Sequence, residues 1–450
     1  MIERTSIQAV RAREEARFIA NHPKSEAQSR TSKAWFQGVP FHWMLDWPSP
    51  FPIVAAKAEG ATLTSIDGHV LDDFCLGDTA SMFGHSPPAL AAALAEQVGQ
   101  GLSYMLPTAK GAELGDMLAA MFGLPHWQVT TTASEANRAV IRWCRGITKR
   151  NKILIFNGCY HGAVDDVFVD LRGGVAVNRP SLIGQVHDLL ATTIAIEFND
   201  VEALEAALRT GEIACVLAEP LMTNIGMVRD APGYLEKLRL LCSETGTLLV
   251  FDETHTISSG FGGHSNTHGP APDIIVIGKS IGGGVPCAVY GFTAEVASKM
   301  AALNSSRPPG HSGIGTTLSA NALAITAMHA MMGQVITRAA YDHMLLMAER
   351  LVAGLEMIIK ANGLNWHVSH VGARVEFVCS AEPPRNGSEA RAAMDHELEA
   401  AIHLFLVNRS ILLAPFHNMM LLSPMTQTSQ VDRLLQEMGN CVAELLEANA

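Results

Sequence analysis

From about residue 87 to residue 330, short apolar runs alternate with longer stretches in which apolar residues recur at helical spacing. The runs Val129–Thr131, Lys152–Phe156, Ile213–Leu217, Leu248–Phe251 and Ile274–Ile277 read as strands. Helical patterns fill 88–97, 111–122, 134–147, 201–209 and 233–244. Strand-helix alternation of this kind predicts an α/β domain with a mostly parallel sheet, whose ligands sit at the carboxyl ends of the strands. Outside this region the pattern changes. Residues 2–21 are predicted helical, 35–52 irregular because of their prolines and aromatics, and 59–74 a hairpin about Asp67–Gly68. Residues 318–361 read as one long helical stretch. They are followed by a strand over 367–379, a helix over 388–408, short apolar runs at 411–414 and 419–422, and a last helix from about 428. The expected division is an N-terminal segment, 1–75, that contributes to a small domain, a large domain over 76–330, and a C-terminal small domain over 331–450.

Composition narrows the partners. The 450 residues are 48% hydrophobic and 17% charged, long enough for two or three domains with large cores and rich enough in apolar residues for a subunit interface. No uninterrupted apolar run approaches the roughly 18 residues of a membrane span. The formal net charge of −12 and the lack of Lys/Arg clusters argue against nucleic acid or an anionic membrane as partner. The eight cysteines include no Cys-x-x-Cys pair, which points to core positions in a reducing compartment rather than disulfides or a zinc site. With no signal-peptide pattern at the N-terminus, the expected location is the cytoplasm.

Two of the predicted strands end in opposite charges. One runs into Asp252–Glu253, the other through Gly278 into Lys279, followed by Ser280–Ile281 and three glycines. Gly278–Lys279–Ser280 resembles the tail of a phosphate-binding Walker loop, but Asp273 stands where that loop needs its first glycine. A dinucleotide fingerprint at Gly313–Ile314–Gly315 fails at Leu318. A lone lysine at a strand end is ordinarily a solvated one. A lysine that makes Schiff bases, beside a carboxylate that pairs with a pyridinium nitrogen, is the chemical alternative. His255, His264 and His268 near Asp252 permit a metal reading, but the Gly/Asn/Pro surroundings of His264 and His268 predict a loop rather than the helix such a pair needs, so no metal is expected. At Thr130–Asn137 a strand end, hydroxyls and a helix start make a candidate phosphate cradle, although a Ser N-cap gives the same text. Tyr160, in Asn157–Gly162, is placed either to stack on a flat ring or to fill a tight turn.

In this order along the chain, these residues resemble the class III aminotransferases, pyridoxal-phosphate enzymes of fold type I. The nearest subgroup is that of glutamate-1-semialdehyde aminomutase and the β-amino-acid transaminases. The resemblance spans roughly residues 50–425. It implies a large domain with a mostly parallel central sheet plus a smaller α+β domain, and pyridoxal 5'-phosphate as cofactor. The family's phosphate loop falls on Thr132–Ala133–Ser134, its ring-stacking turn on Tyr160 and His161, and its Glu-Pro strand end on Glu219. The pyridine partner falls on Asp252 and the Schiff-base lysine on Lys279. Thr254 lies against the ring, and Thr317, or its neighbour Thr316, reaches the partner subunit's phosphate in a homodimer with the active site at the interface.

The chain departs from the family pattern in several places. Ala133 replaces a glycine, Thr254 replaces a valine and is followed by His255, and the early segment reads Phe41–His42–Trp43–Met44 without the carboxylate-gripping arginine of the β-transaminases. Phe41, Trp43, Met44 and Met82 are candidates for an apolar, aromatic-accepting substrate wall, or for ordinary packing. Arg374 is a candidate carboxylate anchor, or else a partner of Glu376 or a surface charge. The implied activity is transamination between an amino acid or amine, of D-, β- or aromatic type, and a keto acid or aldehyde. The alternatives are an aminomutase, whose expected acidic residue is missing from Ala414–Asn418, and a non-catalytic cofactor-binding protein.

Overall fold

Apolar runs between residues 126 and 292 hydrogen-bond into one seven-stranded sheet. Its order is His126–Thr130, Ala288–Phe292, Ile274–Ile277, Leu248–Asp252, Ile213–Ala218, Lys152–Phe156, Thr193–Ile196. Ala288–Phe292 is antiparallel to both neighbours, and every other pairing is parallel. The central strands are buried along their whole length. With helices over both faces, such strands carry unbroken apolar text rather than an alternation, and LLVF and IIVI are of that kind. The charged strand ends meet: Leu248–Asp252 and Ile274–Ile277 are adjacent, with Asp252 in register with Val276.

The computed structural model describes residues 2–31 and 33–447. They form two compact units. The sheet belongs to the unit made of Pro88–Arg338 and Pro384–Ala392. Within it, helix Ala133–Thr148 begins at Thr132, whose hydroxyl accepts from the Glu135 N–H, and buries Ala136, Asn137, Val140, Ile141 and Cys144 along one face. The other unit comprises the described residues up to Pro87, Ala339–Pro383 and those from Ala393 onward. It holds one sheet ordered Ala55–Glu59, Thr62–Ser65, Val70–Asp73, Ile411–Leu412, and another ordered His367–Val371, Arg374–Val378, Met420–Leu421. Helices Arg4–Asn21, His396–Val407 and Thr428–Glu447 belong to the same unit.

Four sequence readings change. The stretch 318–361 is two helices, Ala322–Ala330 and Arg338–Ala361, separated by a π turn at Met331–Val335 that contains Gly333, a poor helix former. The run 367–379 is a hairpin that folds back at Gly372, whose φ of 54° glycine adopts without strain. The stretch 388–408 breaks where Asp395 caps a new helix. The expected loop at 263–267 is a short helical turn, because Glu253 accepts from the His264 and Ser265 N–H groups that begin it. Against the boundaries read at 75 and 330, the units part at Pro87/Pro88 and Arg338/Ala339, and residues 384–392 return to the sheet-bearing unit.

Candidate active site

Six strands of the large sheet run in the same direction, among them His126–Thr130, Lys152–Phe156, Ile213–Ala218, Leu248–Asp252 and Ile274–Ile277. Their carboxyl ends share one edge. The residues at or just beyond those ends are Thr132–Ser134, Tyr160–His161, Glu219, Asp252 and Lys279. A parallel sheet delivers successive loops to that edge, so residues far apart in sequence become neighbours there.

Asp252 is buried. Its Oδ2 accepts from Asn137 Nδ2 at 2.8 Å and lies 3.0 Å from His161 Nδ1, and its Oδ1 accepts from the Thr254 N–H at 3.1 Å. Burial pushes the Asp252 carboxyl up, but His161, Thr254 and Asn137 outweigh it and hold the group below the usual carboxylate range. For His161, burial disfavours the imidazolium, yet Cys159 and Asp252 prevail and push it up to about 10. The Nε2 of His161 is buried and makes no hydrogen bond among the described residues.

Lys279 has φ of +50°, in the left-handed region that a residue with a Cβ rarely adopts. Such strain persists where the surroundings impose it, often at functional positions. Thr254 fixes the approach, since its Oγ1 accepts from the Gly278 N–H at 3.2 Å. Lys279 Nζ lies 2.6 Å from His255 Nε2, and His255 Nδ1 lies 2.7 Å from Thr223 Oγ1. The Thr223 hydroxyl donates to Glu219 Oε2, and Asn224 Nδ2 donates to Glu219 Oε1 at 2.9 Å. Burial pushes the Glu219 carboxyl above its usual range, against His161, Thr223 and Asn224.

The candidate cradle lies at the start of helix Ala133–Thr148. The Glu135 carboxylate reaches back to the Thr131 N–H at 2.8 Å and accepts from Ser319 Oγ at 3.0 Å, while Ser134 Oγ accepts from the Ala163 N–H at 3.0 Å. Gly278 faces the first residue of this helix: a Cβ there would lie 2.9 Å from the Ala133 Cβ. Here the close approach is made from the lysine side, with Gly278 leaving the space that Ala133 fills. Thr316 and Thr317 are both exposed, and Thr316 is engaged locally, its N–H donating to Ser319 Oγ at 2.9 Å. Tyr160 is 47% exposed.

The candidate substrate residues lie in the other unit. Phe41 and Trp43 are exposed. Trp43 lines an apolar cavity of about 490 Å³ together with Trp35, Trp47 and His403. Met82 is fully buried. Arg374 is also fully buried; it donates to Thr79 Oγ1 at 2.6 Å and lies 3.8 Å from Glu376.

Three residues without an assigned role join the cluster: Asn137 (the last of the Thr130–Asn137 segment), His255 and Thr223. Asn137 and His255 sit beside residues already singled out. A polar side chain on the buried face of a helix was the available signal for Asn137. Nothing in the local text marks Thr223, which reaches the site only through the turn after Glu219–Pro220.

The chain matches the family described as Aminotransferase class-III over residues 45–442. It is 35% identical over 331 residues to the glutamate-1-semialdehyde 2,1-aminomutase of Gemmatimonas aurantiaca, covering 72% of this chain and 74% of that one. Among solved structures it is similar to a glutamate-1-semialdehyde-aminomutase from Pseudomonas aeruginosa PAO1, at TM-score 0.96 and 43% identity over 99% of both chains. A lysine-to-alanine variant of that enzyme is known in complex with PMP. A β-phenylalanine aminotransferase from Variovorax paradoxus matches at TM-score 0.86 and 27% identity over 97% of both chains.

Proposed function

The chain belongs to the class-III aminotransferases, and from that premise we propose that it is a pyridoxal-phosphate-dependent transaminase moving an amino group between an amino acid or amine and a keto acid or aldehyde. The observation that carries this reading is the placement of Asp252 at the end, and Lys279 just beyond the end, of two adjacent parallel strands, beside a helix start. The donor set suits the cofactor. Asp252, held ionised, matches a protonated ring nitrogen, and the unpartnered Nε2 of His161 lies in the same buried cluster. The first N–H groups of helix Ala133–Thr148 suit a phosphate dianion.

Pyridoxal phosphate supplies a carbonyl that amines condense with and a ring that accepts electrons. The chain supplies the rest. Thr132, Ala133 and Ser134 hold the phosphate, with Thr317 of a second subunit in the homodimer this reading expects. Tyr160 and Thr254 confine the ring, and His161 and Asn137 keep Asp252 charged. Lys279 takes a proton at the substrate carbon and returns it elsewhere. Phe41 and Trp43 are proposed to meet an apolar substrate group, with Met82 and Arg374 as further candidates. The proposed setting is the cytoplasm, and no described helix is long and apolar enough to cross a membrane.

Lys279→Ala should lose the visible absorbance of the lysine–cofactor link and all turnover. An intact band in that variant would sink the assignment. A second reading, an aminomutase, is favoured by what the related proteins are called. The two separate on product: a transaminase releases a keto acid or aldehyde when given an amino donor and needs an acceptor to continue, whereas an aminomutase returns an isomer with no free partner. A holoenzyme that turns over no amine at all would leave only cofactor binding.

A further inference from the structure

The hydrogen bonds behind Lys279 run in one direction. Glu219 carries no proton to give as a carboxylate, so the Thr223 hydroxyl donates to it. Thr223 Oγ1 is then left to accept, and the Nδ1–H of His255 is the donor facing it at 2.7 Å. A neutral imidazole protonated at Nδ1 presents a bare Nε2, and that atom faces Lys279 Nζ at 2.6 Å. The hydrogen-bond pattern assigns this tautomer. The four side chains come from the ends of three neighbouring strands, Ile213–Ala218, Leu248–Asp252 and Ile274–Ile277, so the sheet itself sets their spacing. His255 and Glu219 are buried.

We propose that His255 and Thr223 form a proton relay joining Lys279 to Glu219, so that the lysine amine is deprotonated and reprotonated without exchange with solvent. This rests on the assignment of Lys279 as the residue that moves the substrate proton. A proton passes from Lys279 Nζ to His255 Nε2, the Nδ1 proton passes to Thr223 Oγ1, and the threonine hydroxyl proton passes to Glu219 Oε2. An ammonium and a carboxylate become an amine and a carboxylic acid, so no net charge is created in the buried site. The reverse passage restores both. Burial, which pushes the Glu219 carboxyl up, suits it to receive a proton. The other titratable groups that act on Glu219 are His161 and Asp252. Glu253, next along the chain, is occupied by the N–H groups of His264 and Ser265.

The test begins on the apoprotein, where no cofactor is needed. The pH dependence of Lys279 acetylation by acetic anhydride, read by peptide mass spectrometry, gives its protonation midpoint. Both His255→Leu and Glu219→Gln should lower that midpoint by about one unit or more, because the ammonium loses its acceptor or the carboxylate at the end of the chain. His255→Gln keeps an acceptor but cannot pass a proton. It should hold the midpoint near wild type and take up cofactor normally. Its half-reaction with an amino donor should be about 100-fold slower, and the isotope effect of an α-deuterated donor should shrink, because the blocked N–H transfer rather than C–H cleavage then limits the rate. Near-ultraviolet circular dichroism checks that each variant is folded. An unchanged midpoint in His255→Leu or Glu219→Gln, or a wild-type half-reaction in His255→Gln, overturns the relay. Failure of the transaminase reading has a different signature: the wild-type holoenzyme would release no carbonyl product, while the apoprotein profile would stand unaffected.

Discussion

At the scale of single residues, the site depends on how buried charges are compensated. Burial opposes the charge on both Asp252 and His161, and it is outweighed at His161 by Cys159 and Asp252 and at Asp252 by His161, Thr254 and Asn137. The sign of the linkage follows from the shifts. The Asp252 contribution to stability is present above its ordinary value of 3.8 and is lost as pH falls through its lower folded value. The His161 contribution is full below its ordinary 6.5 and is lost as pH rises through about 10. The apoprotein should therefore be less stable at pH 10 than at pH 6.5. His161→Gln should flatten that alkaline decline, as measured by Tm across a pH series; an equally steep decline in the variant would remove His161 as its source. Asp252 and Lys279 were legible in the sequence because each ends an apolar run, where a charge has no packing reason to be. His255 is visible in the sequence as the residue after Thr254 and as a possible metal ligand, not as a partner of Lys279, and Thr223 is not marked at all. Hydrogen-bond partners brought together by the sheet leave no local pattern.

At the scale of elements, the close contact between the Lys279 turn and helix Ala133–Thr148 is set by one missing side chain. Gly278 has φ −126° and ψ −152°, which an alanine tolerates, so the expected penalty for Gly278→Ala is overlap with Ala133 rather than backbone strain. That overlap should cost about 1–3 kcal/mol of stability and weaken cofactor uptake. Adding Ala133→Gly should recover most of both, read by urea midpoint and cofactor titration; a double variant no better than the single one would mean that the two positions do not share this contact. Strands with unbroken apolar text were easy to read, since burial on both faces demands it. Thr193–Ile196 and Ala288–Phe292 do not stand out in the sequence, the second because an antiparallel strand inside a parallel set breaks the strand–helix alternation. The pairs of elements within 318–361, 367–379 and 388–408 were each read as one because apolar residues continue across the breaks.

At the scale of the whole molecule, one unit is assembled from segments distant in the chain, and a buried polar group ties them together. Arg374, from the middle segment, donates to Thr79 of the first, and Glu376 beside it lies 3.2 Å from His417 of the last. Arg374→Ala should therefore act mainly on stability, by about 3–5 kcal/mol, because it leaves Glu376 buried without its cation. Urea midpoint and KM for carboxylate substrates are the two measurements. A raised KM with an unchanged midpoint would make Arg374 the substrate anchor instead. The sequence by itself determined the sheet-and-helix class, the strands that carry the charges, and the residues resembling those of a known cofactor site. These are local signals, because burial and turn chemistry act on the residues in which they are written. Only the tertiary structure decided which strands are neighbours, that Gly278 rather than position 133 supplies the close approach, and that His255 and Thr223 stand between Lys279 and Glu219. Those facts depend on distances between residues far apart in the chain, which no single stretch of sequence encodes.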